Sequence, residues 1–303
     1  MRDGASLRHA GGMTTSSPSG TLEQLTIAAN GLTFHALAQG PTDGPPLLLL
    51  HGFPECAEGW RRAMGPLAAE GYRVVVPDQR GYGATDKPTG AAAYRIDLLT
   101  RDVVAIADAL GYQRFELVGH DWGGIVAWRV ASDFADRVER LVIVNAPNLD
   151  IAAGHALRHP MQMLRSSYVA MFQLPWLPEV ALSSMNYALL AAALQRSSLP
   201  GTFSDDAIGV YRIAWSRPGA LTAMLDWYRA LPLAPRRSPV RITVPVRILW
   251  GDRDTALDPS LAEASLALCD VGSVRHFPGA THWLHHERPA ELHDDIVRFL
   301  AGS

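Results

Sequence analysis

Three short segments of the 303-residue chain carry residues that could do chemistry together. The first is Gly119-His120-Asp121-Trp122-Gly123, which lies between a predicted strand and a predicted helix. Glycines on both sides of Asp121 permit a sharp turn that lifts its side chain above a sheet edge. A carboxylate is already ionised near neutral pH and needs no base to attack. It attacks well at an sp3 carbon bearing a leaving group, and the product is an alkyl ester that water must cleave. The second segment, Thr281-His282-Trp283, follows Phe277-Pro278-Gly279. There His282 can take a proton from that water. The third, Trp250-Gly251-Asp252-Arg253-Asp254, supplies an acid that would orient the histidine and stabilise its charged form. Asp254 is expected in this role. Asp252, closer to the strand end, is expected to cap the turn.

A fourth segment, His51-Gly52-Phe53-Pro54-Glu55, follows an apolar run. A loop there can lend a backbone N–H to a negatively charged oxygen, and the residue after the nucleophile lends another. Phe53 and Trp122 are therefore the expected oxyanion-hole amides. The Phe53–Pro54 bond is a candidate cis bond in a tight turn. His285 and His286 fall in the helix-like stretch 283–287 and read as surface residues. Each segment alone also reads as an ordinary turn. Three in the order nucleophile, acid, histidine are hard to reconcile with coincidence, because this is the order of an α/β-hydrolase.

The elements that must hold these residues alternate between short apolar strands and amphipathic helices. That pattern implies a mostly parallel sheet covered on both faces. Strands are predicted at 32–38, 46–50, 72–77, 115–119, 141–145, 244–250 and 274–277. Helices are predicted at 95–110, ending at Gly111, from Gly124 to about 132, and at 290–300. Between 146 and 240 strand-like runs vanish. The stretch is rich in Leu, Ala, Met, Tyr and Trp and is broken by Pro160, Pro175, Pro178, Pro200 and Pro218. It reads as a helical cap at 148–240, inserted into a core made of 21–147 and 241–303. Residues 1–20, rich in Gly, Ser and Thr, read as a disordered lead without the apolar stretch of a signal peptide.

The composition is that of a soluble globular protein, with 48% hydrophobic and 19% charged residues. A net charge of -3 gives no basic footprint for nucleic acid. The longest apolar run near the front, Leu47 to Leu50, is too short to span a bilayer. Cys56 and Cys269 are far apart and suggest neither a zinc site nor a disulfide framework, so a reducing, cytoplasmic setting is expected. No cofactor, metal or nucleic-acid partner is expected. The oligomeric state stays open, with a homodimer among the options.

The segments HGFPE (51–55), DQRGYG (78–83), GHDWGG (119–124), WGDRD and THW together resemble the epoxide hydrolases of the α/β-hydrolase superfamily. SSYVAMFQLPWLPE (166–179) and LDWYRALP (225–232) resemble the two cap segments that hold that family's paired ring-opening tyrosines, and the cap resembles the animal epoxide-hydrolase-like branch. The resemblance runs from about residue 32 to 300. It implies Asp121 as nucleophile, His282 as base, Asp254 as its acid partner, and Tyr168 and Tyr228 as the cap tyrosines. It also implies a small epoxide and water as the reactants. Tyr187 and Tyr211 are taken as packing residues. The alternative is a haloalkane dehalogenase with the same triad, but position 53 is Phe where many of those enzymes have Asn, and the cap keeps its tyrosines. The natural epoxide, its stereochemistry and any role of the lead are not legible.

Overall fold

The computed structural model describes residues 20–234 and 237–302, so the expected lead lies, up to residue 19, outside the described residues. Eight strands form one sheet in the order β1-β2-β4-β3-β5-β6-β7-β8. The strands β3 (Pro46–Leu50), β4 (Arg73–Pro77), β5 (Phe115–His120), β6 (Val138–Val144), β7 (Val246–Gly251) and β8 (Gly272–Phe277) are mutually parallel. β2 (Leu32–Gln39) runs antiparallel to β4, and β1 (Glu23–Ala29) antiparallel to β2. β1 is absent from the sequence reading because it is an edge strand whose apolar side chains alternate with exposed polar ones.

The central strands are continuous apolar runs because both their faces are covered. Leu48 and Leu50 pack with Val103 and Ile106 of α2 (Ile96–Ala109) and Val126 of α3 (Trp122–Asp133). Their neighbours Leu47 and Leu49 point the other way, onto Met64 of α1 (Arg61–Ala69) and Leu292 and Ile296 of the C-terminal helix (Pro289–Leu300). Helix α1 is not legible in the sequence because Gly65 and Pro66 in its middle read as breakers.

Between β6 and β7 the described residues hold only helices: α4 (Leu149–Arg158), α5 (Pro160–Arg165), α6 (Ser167–Phe172), α7 (Leu177–Ser197), α8 (Asp205–Trp215), α9 (Ala220–Arg229) and a short turn at Leu231–Leu233. By length and composition α7 could cross a membrane, but it breaks at Ser184–Tyr187, where the backbone leaves helical angles. Neither half is long enough for a bilayer.

The sheet order decides where a site can form. From β3 the chain first moves to one side, to β4, and then returns to the other, to β5. The loops after β3 and β5 therefore part at the carboxyl edge and leave a crevice. The HGFPE loop follows β3, and Asp121 follows β5.

Candidate active site

Asp121 occupies the first position after β5, with φ 49° and ψ -121°. This is a strained backbone for a residue with a side chain, and such strain collects at functional sites. Glycines make the turn feasible. A Cβ on Gly123 would run into the carbonyl of Leu50, and one on Gly52 into the Asp121 side chain. Helix α3 thus sits close against β3, with the carboxylate pressed beside the HGFPE loop. The Phe53–Pro54 bond in that loop is cis, as expected.

The carboxylate meets two of its expected partners. The Phe53 amide donates to Oδ2 at 2.9 Å. His282 Nε2 lies 3.5 Å from Oδ1. Trp122 begins α3, and its amide is not among the carboxylate's partners in this arrangement; its indole packs edge-on against Tyr228, with centroids 5.1 Å apart. His282 Nδ1 lies 2.7 Å from Asp254 Oδ2, and both side chains are buried. Burial opposes the charge on Asp121, but the His282 contact, the charges of His282 and His120 and the Phe53 amide outweigh it, holding the carboxyl below its ordinary value. Burial likewise opposes charging His282, yet Asp254 and Asp121 together raise its pKa well above the usual imidazole value. The imidazole thus sits between two carboxyl groups, and both favour its charged form.

Asp252, expected to cap its turn, lies instead against His276 of β8. Asp254 has more partners than its segment suggests. Its Oδ1 accepts the amides of Ala256 and Leu257, at 2.8 and 2.9 Å. Its Oδ2 accepts Asn145 Nδ2 at 2.8 Å. Asn145 is fully buried just past β6 at φ 43°, and its Oδ1 accepts the Gly251 amide at 2.9 Å. In the sequence, Asn145 reads only as the end of a strand. The available signal was its side chain, one of the few that tolerates a left-handed backbone at a strand end.

A cavity of about 300 Å³ opens over Asp121 and His282, and Tyr168 and Tyr228 line it as well. Tyr168 is on α6 and Tyr228 on α9, with ring centroids 5.9 Å apart. Tyr228 packs edge-on against Phe53 and Phe172. Burial raises the pKa of both phenols well above the usual value, and the charge of Asp121 pushes in the same direction. Both are therefore neutral donors near pH 7. Tyr187 packs near Trp215, as expected of a packing residue.

The reading of His285 and His286 as surface residues is wrong. His285 is buried, His286 is nearly so, and both converge on Glu55, whose carboxylate is fully buried. Nε2 of His286 donates to Oε1 at 2.6 Å, and Nε2 of His285 to Oε2 at 3.1 Å. Tyr211, expected only to pack, donates its hydroxyl to Oε1 at 2.7 Å. His120 Nδ1 lies 3.4 Å from Oε2. The short helix at Leu284–Glu287 turns both histidines inward, a direction that composition alone does not reveal. Burial disfavours the charge on Glu55, but the histidines overcome it and hold the carboxyl well below its usual value. Glu55, His120 and His285 offer ligand atoms close enough for a metal ion. Tyr211 and His286 already occupy the other Glu55 oxygen, and we read the group as a hydrogen-bonded cluster. His120 Nε2–H donates to the His282 carbonyl at 2.9 Å, so the cluster braces the loop that carries the histidine beside Asp121.

The family model described as alpha/beta hydrolase fold matches residues 45–289. The chain is 41% identical over 278 residues to a Bacillus subtilis AB hydrolase superfamily protein, covering 91% of this chain and 97% of that one. It is 36% identical over 293 residues to Homo sapiens epoxide hydrolase 4, covering 93% of this chain and 79% of the relative. The chain belongs to the epoxide hydrolases of the α/β-hydrolase superfamily. Among solved structures, a Bacillus megaterium epoxide hydrolase bound to an inhibitor superposes with a TM-score of 0.82 at 27% identity, covering 91% of this chain and 100% of that one.

Proposed function

We propose that this epoxide hydrolase opens an epoxide to a vicinal diol through a covalent ester on Asp121. The observation that carries this reading is the placement of two neutral phenols, Tyr168 and Tyr228, in the same cavity as an ionised carboxylate backed by an imidazole and an acid. Residues 148–240 act as the cap, and the reading needs no cofactor.

Oδ2 of Asp121 is engaged by the Phe53 amide, so Oδ1, which faces His282 Nε2 at 3.5 Å, is the oxygen that attacks. Oδ1 forms a bond to one ring carbon, the bond from that carbon to the ring oxygen breaks, and its electron pair goes to the oxygen. An alkoxide is a poor leaving group unless a donor meets it. Tyr168 and Tyr228 hydrogen-bond the ring oxygen, and one of them gives its proton. The contact strengthens as charge develops, so it stabilises the transition state more than the bound substrate. Esterification removes the charge of Asp121 and one of the influences raising the pKa of His282. His282 then gives its proton, relayed through water, to the tyrosinate, and the neutral imidazole takes a proton from the attacking water, whose oxygen adds to the ester carbonyl. The negative oxygen that results is held by the Phe53 and Trp122 amides. Collapse breaks the bond between the acyl carbon and the substrate oxygen, which takes the proton of the added hydroxyl, so the diol leaves with Asp121 ionised and His282 protonated again.

A dehalogenase would instead need N–H donors around a halide. Position 53 turns a phenyl ring into this cavity, and the two hydroxyls suit an oxygen leaving group. The test is a screen of aryl, alkyl and fatty-acid epoxides beside halogenated alkanes, scored for diol and halide. Diol from epoxides without halide release is expected. Halide release without diol would overturn the reading.

A further inference from the structure

Most of the large apolar side chains left exposed among the described residues fall in one stretch, 157–189. Apolar residues scattered singly over a surface are normal, but a group of them marks an interaction site. Helix α5 shows that the exposure is arranged. Its buried residue is the polar Gln162, anchored on the Ala256 carbonyl and the Asp258 amide. Its exposed side chains include Met161, Met163 and Leu164. The helix thus turns apolar groups to solvent, the reverse of a helix that packs on a core. The linker between α6 and α7 continues the pattern. The Arg229 guanidinium holds this linker, donating to the Phe172 and Leu174 carbonyls at 3.0 and 2.8 Å. Trp176 stands in it at φ 50° and ψ -30°, with 69% of its surface exposed. A bulky residue in left-handed backbone is strained, and here the strain displays an indole to solvent. In α7 only 28% of the most apolar stretch is buried, and Val180 and Met185 are exposed.

The charge on this face is one-sided. Between residues 157 and 196 the arginines are Arg158, Arg165 and Arg196, and the single carboxylate is Glu179. Arg229 holds both oxygens of Glu179, at 2.7 and 3.0 Å. Arg165 pairs with Asp258 at 3.6 Å, while Arg158 and Arg196 are exposed. Arg212 donates to the Asn186 carbonyl at 3.1 Å, so a further cation stands beside Met185. Two copies of the chain meeting here would bring like charges together over a stretch whose one carboxylate is already paired, which opposes self-association. Anionic lipid suits the same groups. Met and Leu side chains enter the boundary of the acyl chains, an indole sits among the headgroups, and guanidinium groups meet the phosphates.

We propose that the face made by α5, the α6–α7 linker and the first half of α7 docks on the surface of an anionic lipid bilayer, lying on it without crossing it. Trp176 is its central anchor. Met171 of α6 is exposed and also lines the cavity over Asp121, so the docked face adjoins that cavity. The docking itself does not depend on the reaction proposed above.

The experiment mixes the full chain with vesicles of phosphatidylcholine alone, or of equal parts phosphatidylcholine and phosphatidylserine, and measures the bound fraction by flotation. The wild type should bind the mixed vesicles more tightly, and added salt should weaken that binding. Trp176→Asn removes the indole and leaves a residue that accepts left-handed backbone. It should lower the partition coefficient about tenfold on the mixed vesicles. Arg158→Gln should lower it about fivefold on the mixed vesicles and leave binding to phosphatidylcholine unchanged. Both side chains are exposed and neither lines the cavity over Asp121, so the unfolding temperature of each variant should match the wild type's. A wild type that ignores both kinds of vesicle, or binding that survives both substitutions, overturns the proposal. Equal binding to the two kinds of vesicle overturns the choice of anionic lipid. A dimer that Trp176→Asn dissociates, without vesicle binding, gives the face to a second copy and overturns the proposal as well.

Discussion

Replacing His282 by Gln separates the two chemical steps. His282 Nε2 stands 3.5 Å from Asp121 Oδ1, and its Nδ1 is fixed on Asp254 at 2.7 Å. A positioned base contributes about 10²–10⁴-fold to the step it serves, which is about 3–5 kcal/mol of barrier. In this mechanism the base serves ester cleavage only. The first step needs an ionised Asp121. Loss of the imidazolium lets burial push that carboxyl up from its lowered value, so the experiment is run near pH 8, where a moderately raised carboxyl is still ionised. His282→Gln should then consume one epoxide per site and slow about 10²–10⁴-fold. Intact-protein mass should rise by one substrate, mapped to the peptide carrying Asp121, and Asp121→Asn should show no adduct. In the wild type, ester cleavage needs neutral His282. It should therefore increase as pH rises through the histidine's pKa in the intermediate, which lies below that of the resting enzyme because the Asp121 charge is gone. The variant should lack this limb. A wild-type steady rate in His282→Gln, or an adduct on another residue, would refute the reasoning.

Tyr228→Phe keeps the ring contacts with Phe53, Trp122 and Phe172 and removes only the hydroxyl. It should lower epoxide turnover about 10²–10³-fold, as should Tyr168→Phe, and full activity in either variant would move that donor role to another group. Asn145→Ala removes a bond to Asp254, leaves the Gly251 amide unpaired and places Ala at φ 43°. The variant should lose about 2–5 kcal/mol in denaturant unfolding and turn over more slowly, since an unsatisfied buried group costs about 1–3 kcal/mol and the left-handed backbone about 1–2 more. Glu55→Gln breaks a buried cluster, which typically costs about 3–5 kcal/mol when one charged partner is removed. Because the Glu55 pKa is lowered on folding, its contribution is present above the ordinary carboxylate value of 4.5 and fades as pH falls through the folded value. The stability gap between wild type and variant should therefore be full at pH 7 and close in acid.

What was legible in the sequence followed from local rules. Asp121, Asp254 and His282 each follow a segment that reads as a strand, so the turn residues after those segments could be picked out one at a time. The pairing Phe53–Asp121 was legible because β3 and β5 are recognisable and a crevice opens between them. What was not legible depends on the direction of a side chain after the chain has folded. His285 and His286 stand in a four-residue helix with no periodicity to show which side is buried. Glu55 was quoted within a motif, but its partners come from positions 120, 211, 285 and 286, which only the tertiary structure brings together. Tyr168 and Tyr228 came from resemblance alone, since a tyrosine on an amphipathic helix looks the same whether it packs or donates.

The proposed mechanism places the nucleophile on the sheet and the proton donors on the helical insertion, so it works only if the two are held in fixed register. Three buried hydrogen bonds between them do this. Tyr211 donates to Glu55, the Trp215 indole to the Pro54 carbonyl at 2.6 Å, and the Trp227 indole to the Arg80 carbonyl at 3.0 Å. Two of these end on the HGFPE loop, the loop whose Phe53 amide holds Asp121. Trp227 directly precedes Tyr228, and its ring packs edge-on against Trp122, the residue after the nucleophile. Sliding the insertion would leave these buried donors unpaired, at about 1–3 kcal/mol each. A shift of 1 Å between reacting groups can cost about a hundredfold in rate. The same bonds that stabilise the docked insertion therefore also fix the distance between the Asp121 carboxylate and the Tyr228 hydroxyl.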